Sequence, residues 1–122
     1  MNKKTKIFLA GHQGMVGSAI FKKLKENNYK NIVTIEKKKL NFIKKIKTLK
    51  FLNKIKPDLV IIAAAKVGGI KANMNFPANF INDNLQIQSN LILNSFNFRV
   101  KKLIFFGSSC IYPVSYTHLT LP

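Results

Sequence analysis

Three glycines spaced three apart, Gly11, Gly14 and Gly17, stand between a short apolar run and an amphipathic stretch, and this arrangement most constrains the fold. Residues 6–10, Lys-Ile-Phe-Leu-Ala, read as a buried strand. From Met15 the pattern changes. Val16, Ala19, Ile20 and Leu24 recur at helical spacing, with Lys22, Lys23, Lys25 and Glu26 on the opposite side. Asn27 and Asn28 end that helix. Glycines at such a junction permit a tight turn and let the backbone approach a pyrophosphate seated on the helix N-terminus. Glycines alone often mark ordinary turns, and the spacing here is G-x-x-G-x-x-G. The strand before and the helix after supply the context that a dinucleotide-binding turn requires.

The same alternation continues along the chain. Residues 31–35 are apolar and β-branched and predict a second strand. A basic amphipathic stretch over 42–55 predicts a helix with Ile43, Ile46, Leu49 and Leu52 inward, closed by Pro57. Residues 59–64 are apolar throughout, as expected of a strand covered by helices on both faces. Pro77 suits the first turn of a long helix reaching residue 98. Residues 103–106 predict a fourth strand, ended by Gly107. Strands alternating with helices imply parallel pairing through right-handed crossovers. The expected class is therefore α/β: a partial Rossmann-type sheet of about four strands, helices on both faces, within one incomplete domain over 1–113.

Charge offers a competing reading. The chain has 21 basic and 4 acidic residues, a formal net charge of +17, which by itself points to a polyanionic partner such as nucleic acid. Arg99 is the only arginine, whereas base-edge and bidentate phosphate recognition favour Arg. The lysines are scattered, and abundant Asn and Ile beside them fit A/T-rich codon usage. Composition thus gives weak support to a nucleic-acid partner, and none is expected. No apolar run reaches the roughly 20 residues that span a bilayer, so no membrane partner is expected either. The single cysteine, Cys110, excludes an internal disulfide and fits a reducing, cytoplasmic setting. No metal ligand set is expected.

At the end of the second strand an acidic residue would bind the 2′-hydroxyl of NAD, and a basic one the 2′-phosphate of NADP. The sequence places Glu36 before Lys37, Lys38 and Lys39, so both remain open, beside a plain solvated charge run.

The run from Ala10 through Gly11, His12, Gln13, Gly14, Met15, Val16 and Gly17 to Ile20 resembles the start of the GDP-L-fucose synthases. These are extended short-chain dehydrogenase/reductases. Ala63-Ala64-Ala65-Lys66-Val67-Gly68-Gly69-Ile70 is similar to that family's segment after the third strand. So are Pro77-Ala78-Asn79-Phe80-Ile81 with Asn84, the pair Ser89-Asn90, and Phe106-Gly107-Ser108-Ser109-Cys110-Ile111-Tyr112-Pro113. The resemblance implies conversion of GDP-4-keto-6-deoxy-mannose to GDP-L-fucose, by 3,5-epimerisation and then NADPH-dependent reduction at C4. It implies an NADP(H) cofactor contacting residues 11–17, Lys37, Asn41, Ala63, Ala64, Ala65, Phe106, Gly107 and Ser109. A GDP-sugar substrate follows, and a homodimer with the long helix as a dimer element. The family usually has Arg where Gln13 and Lys37 stand, which loosens the preference for NADP over NAD. Other nucleotide-sugar epimerases and dehydratases are the alternative within the class.

By the same resemblance Ser108 hydrogen-bonds the substrate's C4 oxygen and Cys110 is the acid/base of epimerisation. A hydroxyl beyond a strand's C-terminal end lies at the ligand crevice of such sheets, and a thiol has a pKa that surroundings can tune. Without the motif, a turn serine and a small buried cysteine are the simpler readings. The family's Tyr-x-x-x-Lys pair has no counterpart, since Tyr116 is followed four residues later by Thr120. Residues 114–122 resemble nothing in the family and read as translated sequencing-adapter sequence, without function.

Overall fold

A computed structural model describes residues 2–64 and 77–106, without the side chains of Pro77 and Phe80. Among the described residues seven elements follow in order: β1 (Ile7–Ala10), α1 (Met15–Glu26), β2 (Ile32–Val33), α2 (Lys45–Ile55), β3 (Leu59–Ile62), α3 (Pro77–Asn97) and β4 (Lys102–Phe105). All strand pairs are parallel and the order is β2-β1-β3-β4. Ile7 aligns with Ile32 and Leu59, and Leu59 with Lys102. The chain crosses from one side of β1 to the other between β2 and β3. A crevice therefore opens beyond the C-terminal ends of β1 and β3, where open α/β sheets bind ligands.

Strand parity sorts the core. Phe8, Ala10, Val60 and Ile62 point to the face covered by α2 and α3, where they meet Leu40, Phe42, Leu52, Ile87 and Leu91. Ile7, Leu9, Leu59 and Ile61 point to the other face, against Ile20, Phe21 and Leu24 of α1. Every residue of β1 and β3 is buried, as two-sided cover demands. Phe8 meets Phe42 and Phe51 edge-on, with ring centroids 5.9 and 5.2 Å apart.

Helix ends follow local chemistry. Past α1, Tyr29 N–H donates to Leu24 C=O and Asn28 N–H to Lys25 C=O, with Asn28 left-handed at φ 67°. The same paired closure recurs after α3, where Val100 donates to Ser95 and Arg99 to Phe96. The C-terminus of α2 is capped from a distance: Lys6 Nζ donates to Ile55 C=O at 2.8 Å.

The expected elements all form, with corrections to five of them. The second strand is only Ile32–Val33, because the chain after it turns through residues 37–39 instead of extending the ladder. The third strand stops at Ile62, and the fourth runs Lys102–Phe105. α2 begins at Lys45 and presents a different side from the one expected. Thr48 and Leu52 are buried and Phe51 and Ile55 pack on the core, whereas Ile46 is 67% and Leu49 37% exposed. In α1 the inward side is Gly17, Ile20, Phe21 and Leu24, while Val16 and Ala19 face solvent.

The α2 orientation sets a direct test. Leu52→Ala should lower unfolding free energy by about 2–5 kcal/mol, since it leaves a cavity under the sheet. Ile46→Ser should change it by less than about 0.5 kcal/mol, as a solvent-facing substitution. Urea denaturation of the two variants against the parent chain checks both values.

Candidate functional site

The turn between β1 and α1 is built by close approach. Gly11 has φ +89°, a left-handed backbone that disfavours any side chain, and a Cβ there would lie 2.7 Å from Ala63 and Ala64 backbone atoms. Gly17 is buried in the first turns of α1, and a Cβ on it would fall 1.8 Å from Gly11 O. These two glycines are demanded by the fold itself. Gly14 differs: it is the N-cap of α1, and its nearest neighbour to an added Cβ is Gly11 O at 3.7 Å. The protein leaves room there.

That room faces a cleft. Gly11, His12, Gln13, Gly14, Lys37, Asn41, Ala63 and Ala64 line it, together with Ile35, Leu40, Phe42, Ile43, Asp83 and Ile87. Its free space, including the part open to solvent, is about 950 Å³. No side chain caps the N-terminus of α1, and its first turn holds no acidic residue. The leading N–H groups of a helix lack intrahelical acceptors, so this end offers donors and a positive dipole to an anion. A shallow second hollow adjoins it, lined by Gln13, Glu36, Lys37, Lys38 and Asn41.

A dinucleotide fits this donor set. The apolar residues Ile35, Leu40, Ile43 and Ile87 suit a flat base. The uncapped helix end suits a pyrophosphate, and the lysine-rimmed hollow suits a ribose phosphate. His12 is half-buried, its ring centroid 6.3 Å from that of Phe21. Its Nδ1 is buried with no hydrogen-bond partner among the described residues.

The structure thus brings together Gly11, His12, Gln13, Gly14, Lys37, Asn41, Ala63 and Ala64 from the expected set. Met15 and Val16 are not cleft-lining: they occupy the first turn of α1 with outward side chains, 90% and 48% exposed. Phe106 follows β4, its N–H donating to Ile62 C=O at 3.1 Å, and also stands outside the cleft lining. Ala65, Gly107, Ser108, Ser109 and Cys110 lie outside the described residues, as do Lys66 and residues 114–122. Ile35, Leu40, Phe42, Ile43, Asp83 and Ile87 also line the cleft and were not among the site residues expected from sequence. Asp83 and Ile87 carried a signal, being four residues apart and so on one side of α3.

The sequence profile of the NAD dependent epimerase/dehydratase family matches residues 7–119. The chain belongs to that family. It is 51% identical over 112 residues to GDP-L-fucose synthase 1 of Arabidopsis thaliana, covering 92% of this chain and 35% of the relative. It is 51% identical over 108 residues to the GDP-L-fucose synthase of Sinorhizobium fredii, covering 88% of this chain and 34% of that one. A GDP-mannoheptose C4 reductase from Campylobacter jejuni with NADP bound superposes with a TM-score of 0.88 at 39% identity. That match covers 93% of this chain and 33% of the reductase. The chain therefore spans about a third of the length of the relatives it matches. Among the described residues, no helix is long and apolar enough to cross a membrane.

The glycines separate fold from ligand in a testable way. Gly17→Ala should destabilise the chain by roughly 1–3 kcal/mol, because backbone must shift to admit the methyl group. Gly14→Ala should stay within about 1 kcal/mol of the parent, the lost N-cap preference being offset by a stiffer unfolded chain. Thermal and urea unfolding of the pair measure the difference.

Proposed function

We propose that this chain supplies the NADP(H)-binding portion of an enzyme that converts GDP-4-keto-6-deoxy-mannose to GDP-L-fucose. The observation that carries the proposal is the cleft at the β1/β3 switch point, with an open Gly14, in a chain half identical to GDP-L-fucose synthases. Gly11 to Gly14 and the first turn of α1 hold the pyrophosphate. Asn41, Ile43 and Ile87 surround the adenine, and Lys37 with Gln13 meets the 2′-phosphate. NADPH, when bound, supplies the hydride that reduces the C4 ketone. Phosphate recognition by a single lysine is weaker than by a bidentate arginine, so discrimination against NADH is modest.

Ser108 and Cys110 come after β4 in the sequence, and β4 ends on the side of the sheet where the cleft opens. Ser108 donates a hydrogen bond to the C4 oxygen as negative charge develops there. Cys110 exchanges the proton on the carbon next to the ketone, a step that needs a base matched to the working pH. The sequence has no tyrosine followed four residues later by lysine, so the 122-residue chain binds cofactor without reducing a ketone. Residues 114–122 take no part in binding.

Fluorescence titration of the chain with NADPH tests the binding half of the proposal. Saturable binding is expected, weakened more than tenfold by Gly14→Ala and unchanged by deletion of residues 114–122. Lys37→Ala should weaken NADPH about tenfold, equivalent to about 1.4 kcal/mol, and leave NADH unchanged. A chain that ignores both cofactors, or one that oxidises NADPH with a keto-sugar unaided, contradicts the assignment. For the chemistry, residues 1–113 can be joined in register to the remainder of the Arabidopsis relative. Cys110→Ser in that enzyme should abolish solvent deuterium uptake at C3 and C5 while NADPH affinity is retained.

A further inference from the structure

We infer that Asn90 is a positioning residue for the cofactor cleft, holding the wall against which the adenine half of the dinucleotide rests. Asn90 lies on α3 and is 9% exposed. Its Nδ2 donates to Phe42 C=O at 2.7 Å and to Ile43 C=O at 3.1 Å, across 48 and 47 residues of chain. Both amide hydrogens are thereby used, one on each of two consecutive carbonyls. Those carbonyls belong to the connection between β2 and α2, whose Leu40, Asn41, Phe42 and Ile43 all line the cleft.

The connection has few other holds. Asn41 Oδ1 accepts from Ile43 N–H at 3.2 Å, and Lys44 N–H donates to Asn41 C=O at 2.9 Å, both local bonds. Phe42 is pinned by its ring against Phe8. Asn90 ties the backbone of this segment to a distant helix by two side-chain hydrogen bonds. The same helix also sends Asp83 and Ile87 into the cleft, so the two walls are fixed to each other through Asn90. A buried carbonyl that loses its donor is costly, and the segment relieves that cost by moving toward water. Such movement withdraws Asn41 and Ile43 from the adenine and leaves the glycine turn in place.

This inference rests on the cofactor reading above, and its test separates the two. The 122-residue chain is titrated with adenosine 2′,5′-bisphosphate, the adenine half of NADP, and with reduced nicotinamide mononucleotide, the other half. Asn90→Leu should weaken the adenine half at least tenfold and leave the nicotinamide half within twofold. Asn94→Ala is the control, being buried one turn further along α3 and, among the described residues, not bonded by its side chain to the Phe42 or Ile43 carbonyls that Asn90 holds. It should lower the melting temperature and leave both halves unchanged. Hydrogen exchange supplies a readout independent of ligand: the Ile43 and Lys44 amides should exchange at least tenfold faster in Asn90→Leu, while β3 amides keep the parent rate. Should Asn90→Leu not fold, Asn90→Ser, which keeps one donor, is read in the same assays with smaller effects. Equal losses for both halves, or unchanged exchange at Ile43 and Lys44, overturn the positioning role. If the parent binds neither half, the cofactor reading fails; faster exchange in Asn90→Leu would then identify Asn90 as a loop anchor without a ligand role.

Discussion

The contact between Gly17 and the carbonyl of Gly11 sets the geometry on which the rest of the structure depends. A methyl group at Gly17 would fall 1.8 Å from that oxygen, so α1 can lie this close to the end of β1 only without a side chain there. Gly11 in turn abuts the backbone of Ala63 and Ala64, which continue β3 past its last paired residue. Three backbone segments therefore meet at one point, with no side chain between them. The N-terminus of α1 is aimed over the crevice between β1 and β3 as a consequence. Of the three glycines, only Gly14 has space around it, and that space opens on the cleft. A glycine with room for a methyl group has no packing reason to be a glycine.

The cleft's other wall has a different origin. It comes from the face of the sheet shared by α2 and α3, where Phe8, Phe42, Leu52 and Leu91 pack together. Hydrophobic burial fixes Phe42, but burial is non-directional and cannot by itself orient the backbone on either side of that ring. Directional bonds do so: Asn41 closes a local turn on Ile43, and Asn90 reaches across from α3. The two walls thus rest on two kinds of interaction, steric exclusion at the glycines and hydrogen bonding at the β2–α2 connection.

Much of this was legible in the sequence where the signal is local or periodic. Continuous apolar runs located β1, β3 and β4; β1 and β3 bury every residue between helices on both faces, whereas β4 leaves Lys102, Ile104 and Phe105 exposed. The glycine turn was legible because strand, turn and helix occur in the required order. The inward side of α2 was not. Ile46 and Leu49 fit the apolar period as well as Phe51 and Ile55 do, and the choice falls to tertiary packing. Thr48, a polar residue, ends up buried because its hydroxyl donates back to Lys44 C=O at 2.7 Å and needs no other partner. The short β2 escaped notice for a related reason: residues 34–35 have β-branched side chains, but Lys39 and Leu40 N–H groups fold back on Glu36 C=O. Nor does periodicity reveal Asn90, whose partners are nearly fifty residues away. This side of the cleft was accordingly read only as isolated positions, Lys37 and Asn41.

The net charge of +17 bears on affinity without explaining recognition. Lysines spread over the surface raise the local concentration of any polyanion, and that attraction fades beyond a Debye length of about 8 Å at physiological ionic strength. Among the described residues that line the cleft, Lys37 and Asp83 are formally charged at neutral pH. Their charges are opposite and offset each other. Selection among anions there must come from geometry: the uncapped end of α1, the open Gly14 and the apolar pocket for a base. A polyanion held by the general field loses its hold as salt rises and is indifferent to a methyl group on Gly14. A dinucleotide seated on the turn responds to that methyl group at any ionic strength, because the contact is steric and backbone-directed.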